Sequence, residues 1–210
     1  MRAVFLDRDG VISENRIDHV KSWDEFRFLP GALTALRWLR EAGFCTFVVT
    51  NQAIVNRGIA SAQVVEEINT RMALQVALHG GWIQDLRYCP HDYHENCECR
   101  KPRPGMLLHL ATQWGIDLRR SYLIGDAWTD IAAGQAVNCR CILVRTGRGA
   151  EQASLPEAQL YGVDHIAVDV ASAVVWMFAQ EGITLPSPDS APWSQYAASI
   201  SRRAALAAGG

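Results

Sequence analysis

The stretch Ala3-Val4-Phe5-Leu6-Asp7-Arg8-Asp9-Gly10-Val11 decides how the rest of the chain is read. Four consecutive apolar residues stop at an aspartate, and a second aspartate follows two positions later. A short, unbroken apolar run fits a strand buried on both faces, as in a parallel sheet covered by helices. Residues two apart in extended backbone share a side, so Asp7 and Asp9 belong together at the carboxyl end of that strand. Paired carboxylates there suit a hard cation such as Mg²⁺, or a nucleophile beside a general acid, although a solvated turn has the same composition.

The pattern continues outward from this strand. Residues 31–42 place Leu33, Leu36 and Leu39 at helical spacing and stop at Gly43. Phe44 to Thr50 reads as a second strand ending at Thr50-Asn51-Gln52. Ser61 caps a helix over about 62–79, with Val64, Val65, Ile68, Met72 and Val76 along one face. Leu86-Arg87-Tyr88 is a short strand, and Pro104 opens a helix that turns Leu107, Leu108, Ala111 and Trp114 inward. Tyr122-Leu123-Ile124 is a strand before Gly125-Asp126, and a short helix runs from Asp130 to about Val137. Cys141–Val144 and Ile166–Val168 complete the strands. Strands alternating with helices predict an α/β fold, a doubly wound parallel sheet. Ligands in such sheets bind beyond the carboxyl ends of the strands. Four predicted ends carry chemistry: Asp7-Arg8-Asp9-Gly10, Thr50-Asn51-Gln52, Arg100-Lys101, and Gly125-Asp126 with Asp130.

The chain has 210 residues, 49% of them hydrophobic and 20% charged, which suits one large domain over 1–182. Pro186, Pro188 and Pro192 mark 183–210 as a flexible tail, in which Trp193–Leu206 could form a short amphipathic segment. Twenty Lys and Arg stand against 22 Asp and Glu, a net charge of −2 that argues against a broad nucleic-acid surface. The opening apolar run is too short for a signal core or for the roughly 20 residues of a membrane span. A cytoplasmic monomer, away from membrane and nucleic acid, is the expectation.

Disulfides are rare in that compartment, so the six cysteines need another account. Cys45, Cys139 and Cys141 lie in apolar segments and read as small buried side chains. Cys89, His91, Cys97 and Cys99 give Cys-x-His, five residues, then Cys-x-Cys, a donor set for tetrahedral Zn²⁺ in a loop that doubles back. His94 is an alternative to His91. A zinc-containing nucleic-acid-binding module would use the same ligands, but Asp92, Glu95 and Glu98 give its surroundings the wrong charge.

Taken as a set, the strand ends resemble the four motifs of the haloacid dehalogenase superfamily of phosphatases. Phe5–Val11 is similar to the first, Val48–Gln52 to the second, Arg100-Lys101-Pro102 to the third, and Ile124-Gly125-Asp126 with Asp130 to the fourth. They occur in the superfamily's order, from about Ala3 to Gly147. Among its branches, the heptose bisphosphatases and the histidinol phosphatases are most similar. The resemblance implies a Rossmann-like core with a zinc-binding loop over 89–99 and, given the short inserts, no large cap domain.

It also implies roles. Asp7 would be the nucleophile that forms an aspartyl-phosphate, and Asp9 the general acid and base. Mg²⁺ would be held by Asp7, Asp126 and the backbone carbonyl of Asp9. Lys101 and Thr50 would hold phosphoryl oxygens, with Asp130 behind them orienting Lys101 or a metal-bound water. Asn15, Arg16, Ile17, Asp18, Asn51, Gln52, Ala53 and Arg100 would contact a small phosphorylated sugar, and the zinc would be structural. The 7-phosphate of heptose 1,7-bisphosphate is the favoured target, ahead of histidinol phosphate or another sugar phosphate. Arg57, Arg145 and Arg148 are candidates for a second phosphate or solvated surface charges. Two departures stand on the substrate side: Ala53-Ile54-Val55-Asn56 where the heptose branch usually has Ser-Gly-Ile-Ala, and Ala127 where it usually has lysine.

Overall fold

Alternation within the first strand, β1 (Ala3–Leu6), divides the molecule into two layers. Val4 and Leu6 point to one side of the sheet, where α1 (Ala32–Glu41), α2 (Ala62–Leu78) and a later helix, α6 (Val170–Gln180), bury their apolar faces. Ala3 and Phe5 point to the other side, against α3 (Gly105–Trp114) and α4 (Trp128–Gln135). All four β1 residues are fully buried, so the strand reads as a continuous apolar run because helices cover both faces. The structure, a computed structural model, describes residues 1–154 and 162–184. None of its helices is long and apolar enough to cross a membrane.

The sheet adds β2 (Cys45–Asn51), β3 (Asp85–Cys89), β4 (Tyr122–Gly125), β5 (Arg140–Val144) and β6 (His165–Ala167), with a single helical turn, α5 (Gly149–Gln152), after β5. Its order is β3-β2-β1-β4-β5-β6, every pair parallel. The chain winds outward from β1 to β3, returns to the middle for β4, then winds the other way. The reversal falls between β1 and β4, the switch point at which open α/β sheets hold ligands. Register places Leu6 beside Ile124, so Asp7 comes level with Gly125 and Asp126 follows one residue beyond it on the neighbouring strand. On the other flank Asn51 pairs with Cys89, which starts the Cys/His loop beside the end of β2.

The doubly wound sheet and all six strands follow the expectation, with three differences in the helices. α4 begins at Trp128 instead of Asp130, because the Asp130 carboxylate accepts the Ala127 N–H (3.1 Å) and caps the first turn from inside it. In α3 the buried residues are Met106, Leu107 and Leu110. Leu108 is 47% exposed and not inward, since the buried stripe of this helix runs through 106, 107 and 110. α6 carries no strong one-sided pattern, being apolar nearly throughout, and its Val174, Met177 and Phe178 complete the first core layer. Cys139 and Cys141 are buried as expected, and Cys45 is half-buried. The proline-rich segment over 185–210, including Trp193–Leu206, lies outside the described residues.

Candidate active site and metal centres

Asp7 leaves β1 at the switch point and is 5% exposed. Its Oδ1 accepts the Arg8 N–H (2.7 Å) and lies 3.1 Å from Lys101 Nζ. Among the described residues no donor reaches Oδ2. One oxygen is thus pinned, and the other is left without a donor.

Lys101 is 3% exposed and is the cation of the centre. Its ammonium lies 2.5 Å from Asp130 Oδ1, 3.1 Å from Asp7 Oδ1, and donates to the Val49 carbonyl (2.7 Å). Asn51 sets the backbone of this lysine. Its Nδ2 donates to the Lys101 carbonyl, its Oδ1 accepts the Lys101 N–H, and both distances are 3.1 Å. Desolvation opposes the buried charge, but Asp130 and Asp7 outweigh it and hold the lysine pKa above its ordinary value.

Asp126 leaves β4 fully buried. Its Oδ2 accepts the Arg148 N–H (2.9 Å), while its buried Oδ1 has no hydrogen-bond donor among the described residues, the Arg148 guanidinium standing 3.6 Å away. Burial, followed by the charges of Asp7 and Asp130, lifts the Asp126 pKa to about 7. Burial likewise lifts Asp7 to about 6, against the pull of Lys101 and with the push of Asp130 and Asp9. Carboxylate oxygens of Asp7, Asp126 and Asp130 fall within 4.8 Å of one another. Three converging buried carboxylates, two of them with an oxygen that no donor reaches among the described residues, against one lysine make a donor set suited to a hard divalent cation. Asp130 spends both oxygens inside the protein, on Lys101 and on Ala127 N–H, which fits a place behind the other two.

Glycine is required on both sides of Asp126. A Cβ on Gly10 (φ +89°) would stand 2.0 Å from Asp126 Oδ2, and one on Gly147 (φ +57°) 2.2 Å from the same atom. The Thr146 hydroxyl donates to the Gly10 carbonyl (2.6 Å) and closes this contact between the first strand end and the loop after β5.

Asp9 has a separate set of donors. Its carboxylate takes a bidentate pair from Arg8, Nε to Oδ1 at 3.1 Å and Nη2 to Oδ2 at 2.9 Å. Gln52 Nε2 donates to Oδ2 (2.7 Å) and the Ser13 hydroxyl to Oδ1 (3.1 Å). Burial works against ionisation here, yet Arg8 and these donors prevail and hold the Asp9 pKa below the usual carboxylate value. Gln52 also donates to Thr50 Oγ1 (2.9 Å), so one amide joins the first and second strand ends. Arg8 is fully buried and donates through Nη1 to Asn69 Oδ1 of α2 (2.9 Å).

The Cys/His loop closes on itself. Cys89 Sγ lies 3.5 Å from His91 Nδ1, 3.5 Å from Cys97 Sγ and 3.2 Å from Cys99 Sγ. Cys99 Sγ completes the set at 3.4 Å from Cys97 and 3.2 Å from His91 Nδ1. A tetrahedral ion with Zn–S bonds of about 2.3 Å sets sulfur–sulfur edges of about 3.7 Å, so the cage needs only a small expansion. His91 joins the four, whereas His94 stacks edge-on with Tyr93 outside them. Asp92 and Glu95 cap the turn between the ligand pairs, and Arg103 donates to the Asn96 and Cys97 carbonyls.

The expected substrate contacts divide. Asn15, Arg16, Ile17 and Asp18 are all exposed, Ile17 wholly so, with Arg16 and Lys21 paired to Asp18. His19, next along, lies close enough to Asp9 and Arg57 to feel both charges; burial, then Arg57, disfavours its protonation. Arg100 donates to the His91 carbonyl (3.1 Å) at the zinc loop. Asn51 and Gln52 face inward to Lys101 and Asp9, and the Ala53 methyl and Ile54 are buried. Arg57 is taken by Asp92 (2.7 and 2.9 Å), and Asn56 donates to Glu95, which ties the unusual 53–57 loop to the zinc loop. Arg145 is exposed, and Arg148 stands over Asp126. Sequence reasoning passed over Arg8, Ser13, Asn69 and Thr146, all of which touch the strand ends through hydrogen bonds.

Comparison with known proteins agrees with this architecture. Residues 98–173 match a family model described as HAD-hydrolase-like. The chain is 38% identical over 174 residues to D-glycero-β-D-manno-heptose-1,7-bisphosphate 7-phosphatase of Pseudomonas aeruginosa, covering 82% of this chain and 97% of that relative. A crystal structure of D,D-heptose 1,7-bisphosphate phosphatase from Bordetella bronchiseptica, complexed with magnesium and phosphate, superposes with a TM-score of 0.79 at 32% identity, over 86% of this chain and 99% of that one. The enzyme of the same description from Burkholderia thailandensis gives 0.65 at 27% identity, over 85% and 99%. A parallel sheet with its carboxylates at the switch point, and relatives matched over nearly their whole length, place this chain in the haloacid dehalogenase superfamily as a phosphatase of the heptose bisphosphatase family.

Proposed function

We propose that this phosphatase removes the 7-phosphate of D-glycero-β-D-manno-heptose 1,7-bisphosphate by way of an aspartyl-phosphate on Asp7. One observation carries the chemistry: Asp7 offers a free Oδ2 at the switch point while Lys101 and Arg8 N–H hold its Oδ1. The near full-length similarity to heptose bisphosphatases supports the substrate.

Asp7 Oδ2 attacks phosphorus, and the phosphorus–oxygen bond to the sugar breaks. Asp9, two residues on and across from it, delivers a proton to the departing oxygen, then accepts one from the water that hydrolyses the acyl phosphate. Its carboxylate therefore has to become protonated after substrate arrives, when the phosphate dianion adds negative charge beside it. Lys101 Nζ and Thr50 Oγ1 bind phosphoryl oxygens, Lys101 being held in place by Asp130 and the Asn51 clamp. Asp7, Asp126 and the Asp9 carbonyl would hold Mg²⁺, which supplies the charge compensation that attack of an anion on an anion requires. Cys89, His91, Cys97 and Cys99 would hold a structural Zn²⁺, all four tetrahedral positions being filled by the protein.

Arg100 and the exposed 15–18 segment form the side from which a sugar carrying a second phosphate would enter. Ala127, 2% exposed, brings no charge to that side, so recognition falls to Arg100, Arg148 and the segment. The test is a substrate panel with Mg²⁺ present: heptose 1,7-bisphosphate in both anomers, histidinol phosphate and common sugar monophosphates, ranked by kcat/KM. The β-anomer of the bisphosphate is expected first, with release of the 7-phosphate seen by phosphorus NMR. A higher kcat/KM for histidinol phosphate or a simple hexose phosphate would overturn the substrate.

A further inference from the structure

We infer that Arg8 and Asn69 are positioning residues: α2 anchors Arg8 through Asn69, and Arg8 fixes the plane in which the Asp9 carboxylate meets the leaving oxygen. The inference rests on the reading of Asp9 as the proton donor to that oxygen.

The geometry is a continuous chain of short contacts. Arg8 is fully buried, and two sides of its guanidinium are occupied. Nε and Nη2 grip both Asp9 oxygens at 3.1 and 2.9 Å, while Nη1 reaches Asn69 Oδ1 at 2.9 Å. A planar fork bound to both oxygens of a carboxylate sets its orientation as well as its place. Without Asn69 that fork is held only by the group it is meant to orient.

Asn69 itself is out of keeping with its surroundings. It is 7% exposed, on the face of α2 that also buries Val65, Ile68, Met72 and Val76. Its Nδ2 is buried with no partner among the described residues, so the hydrogen bond to Arg8 is what the amide does there. A buried polar group half unsatisfied in an apolar stripe calls for a reason, and the contact with Arg8 supplies one. The Arg8 side chain and Asn69 act through Asp9, apart from the Arg8 backbone N–H that holds Asp7 Oδ1.

The chemistry gives a readout that a general loss of packing would not move. When a sugar or other alkyl phosphate is cleaved, the leaving oxygen gains the Asp9 proton as its bond to phosphorus breaks. An aryl ester such as p-nitrophenyl phosphate leaves as a stabilised phenolate and needs no proton. kcat/KM reports steps only up to departure of that group, so later hydrolysis of the acyl phosphate does not enter. Asn69→Leu is expected to lower kcat/KM about 30-fold for an alkyl monoester, part of the roughly 100- to 10,000-fold that a general acid supplies, and no more than about 3-fold for p-nitrophenyl phosphate. The loss should fall on kcat, with KM nearly unchanged. Asn69→Asp keeps the oxygen facing Nη1 and loses nothing at Nδ2, so it should stay within about 3-fold of wild type on both esters. Asn69→Ser, which cannot span to Nη1, is expected to repeat the leucine result should that variant fail to fold.

Asp9→Asn, measured beside them, separates the two levels of the argument. If it is selective for the alkyl ester while Asn69→Leu and Asn69→Ser lower both esters equally or neither, the positioning role is wrong and Asp9 keeps its role. If Asp9→Asn shows no dependence on the leaving group, the reading of Asp9 and the inference built on it both fall.

Discussion

Without a divalent cation the protein should lose stability as pH rises from 5.5 to 8, and Mg²⁺ should restore it. The perturbation acts on Asp7 and Asp126, which burial lifts from an ordinary 3.8 to about 6 and about 7. The folded state therefore holds these protons more tightly than the unfolded chain. A group of this kind costs nothing below its unfolded pKa, and its penalty grows until pH passes the folded pKa. Shifts of about two units for Asp7 and about three for Asp126 are worth about 3 and about 4 kcal/mol in full. Much of that is already spent by pH 5.5, which leaves a loss of about 1–3 kcal/mol to pH 8, or about 3–8 °C in melting temperature for a domain of this size. Carboxylates held below their usual range, such as Asp9, are ionised in both states across this window. His19 and His165, whose protonation burial disfavours, gain stability as pH rises and oppose the effect. The slope is accordingly measured as the difference between wild type and Asp126→Asn, by calorimetry with zinc kept present and magnesium withheld. The variant should be the less pH-sensitive protein, and Mg²⁺ should raise the wild-type melting temperature more at pH 8 than at pH 5.5. Identical slopes for the two proteins, or equal stabilisation by Mg²⁺ at both pH values, would refute the carboxylate account.

Two further outcomes are expected. Lys101→Met leaves Asp7, Asp130 and the Val49 carbonyl without their shared cation, and should cost about 3–5 kcal/mol in urea unfolding; a cost below about 1 kcal/mol would mean that the ion pairs contribute nothing net. Strong chelation followed by return of Mg²⁺ alone should lower both the melting temperature and kcat, because Arg100 and Lys101 follow directly on Cys99. Zn²⁺ should then restore both, and unchanged values after verified zinc loss would dismiss the structural role.

The fold was legible in the sequence because its strands are short apolar runs punctuated by polar ends, and helices between them carry one-sided stripes. The strand-end residues Asp7, Thr50, Lys101 and Asp126 were legible for the same reason, since each interrupts an apolar run or follows a turn. What escaped was set by side-chain direction. Asn51 and Gln52 face inward, to Lys101 and to Asp9, and nothing in their order distinguishes that from pointing at a ligand. Asn69 did leave a trace, a lone amide within the stripe Val65, Ile68, Met72, but its partner lies 61 positions away. The candidate arginines were equally undecidable by position: Arg57 is committed to Asp92, whereas the half-exposed Arg148 guanidinium stands 3.6 Å from Asp126. α6 escaped because an almost uniformly apolar segment has no periodicity to read.

The pairing of β1 with β4 at the switch point also bears on how the chain is made. Asp7 emerges from the ribosome long before Asp126, and β1 to β3 with their helices can assemble while β4 is still unsynthesised. Until then β1 is an edge strand, its free side open to other chains. Docking of β4 closes that edge and, in the same event, brings the second carboxylate to the first. The cation site is thus a late product of synthesis, and a cation that binds it selects chains whose two halves have already joined.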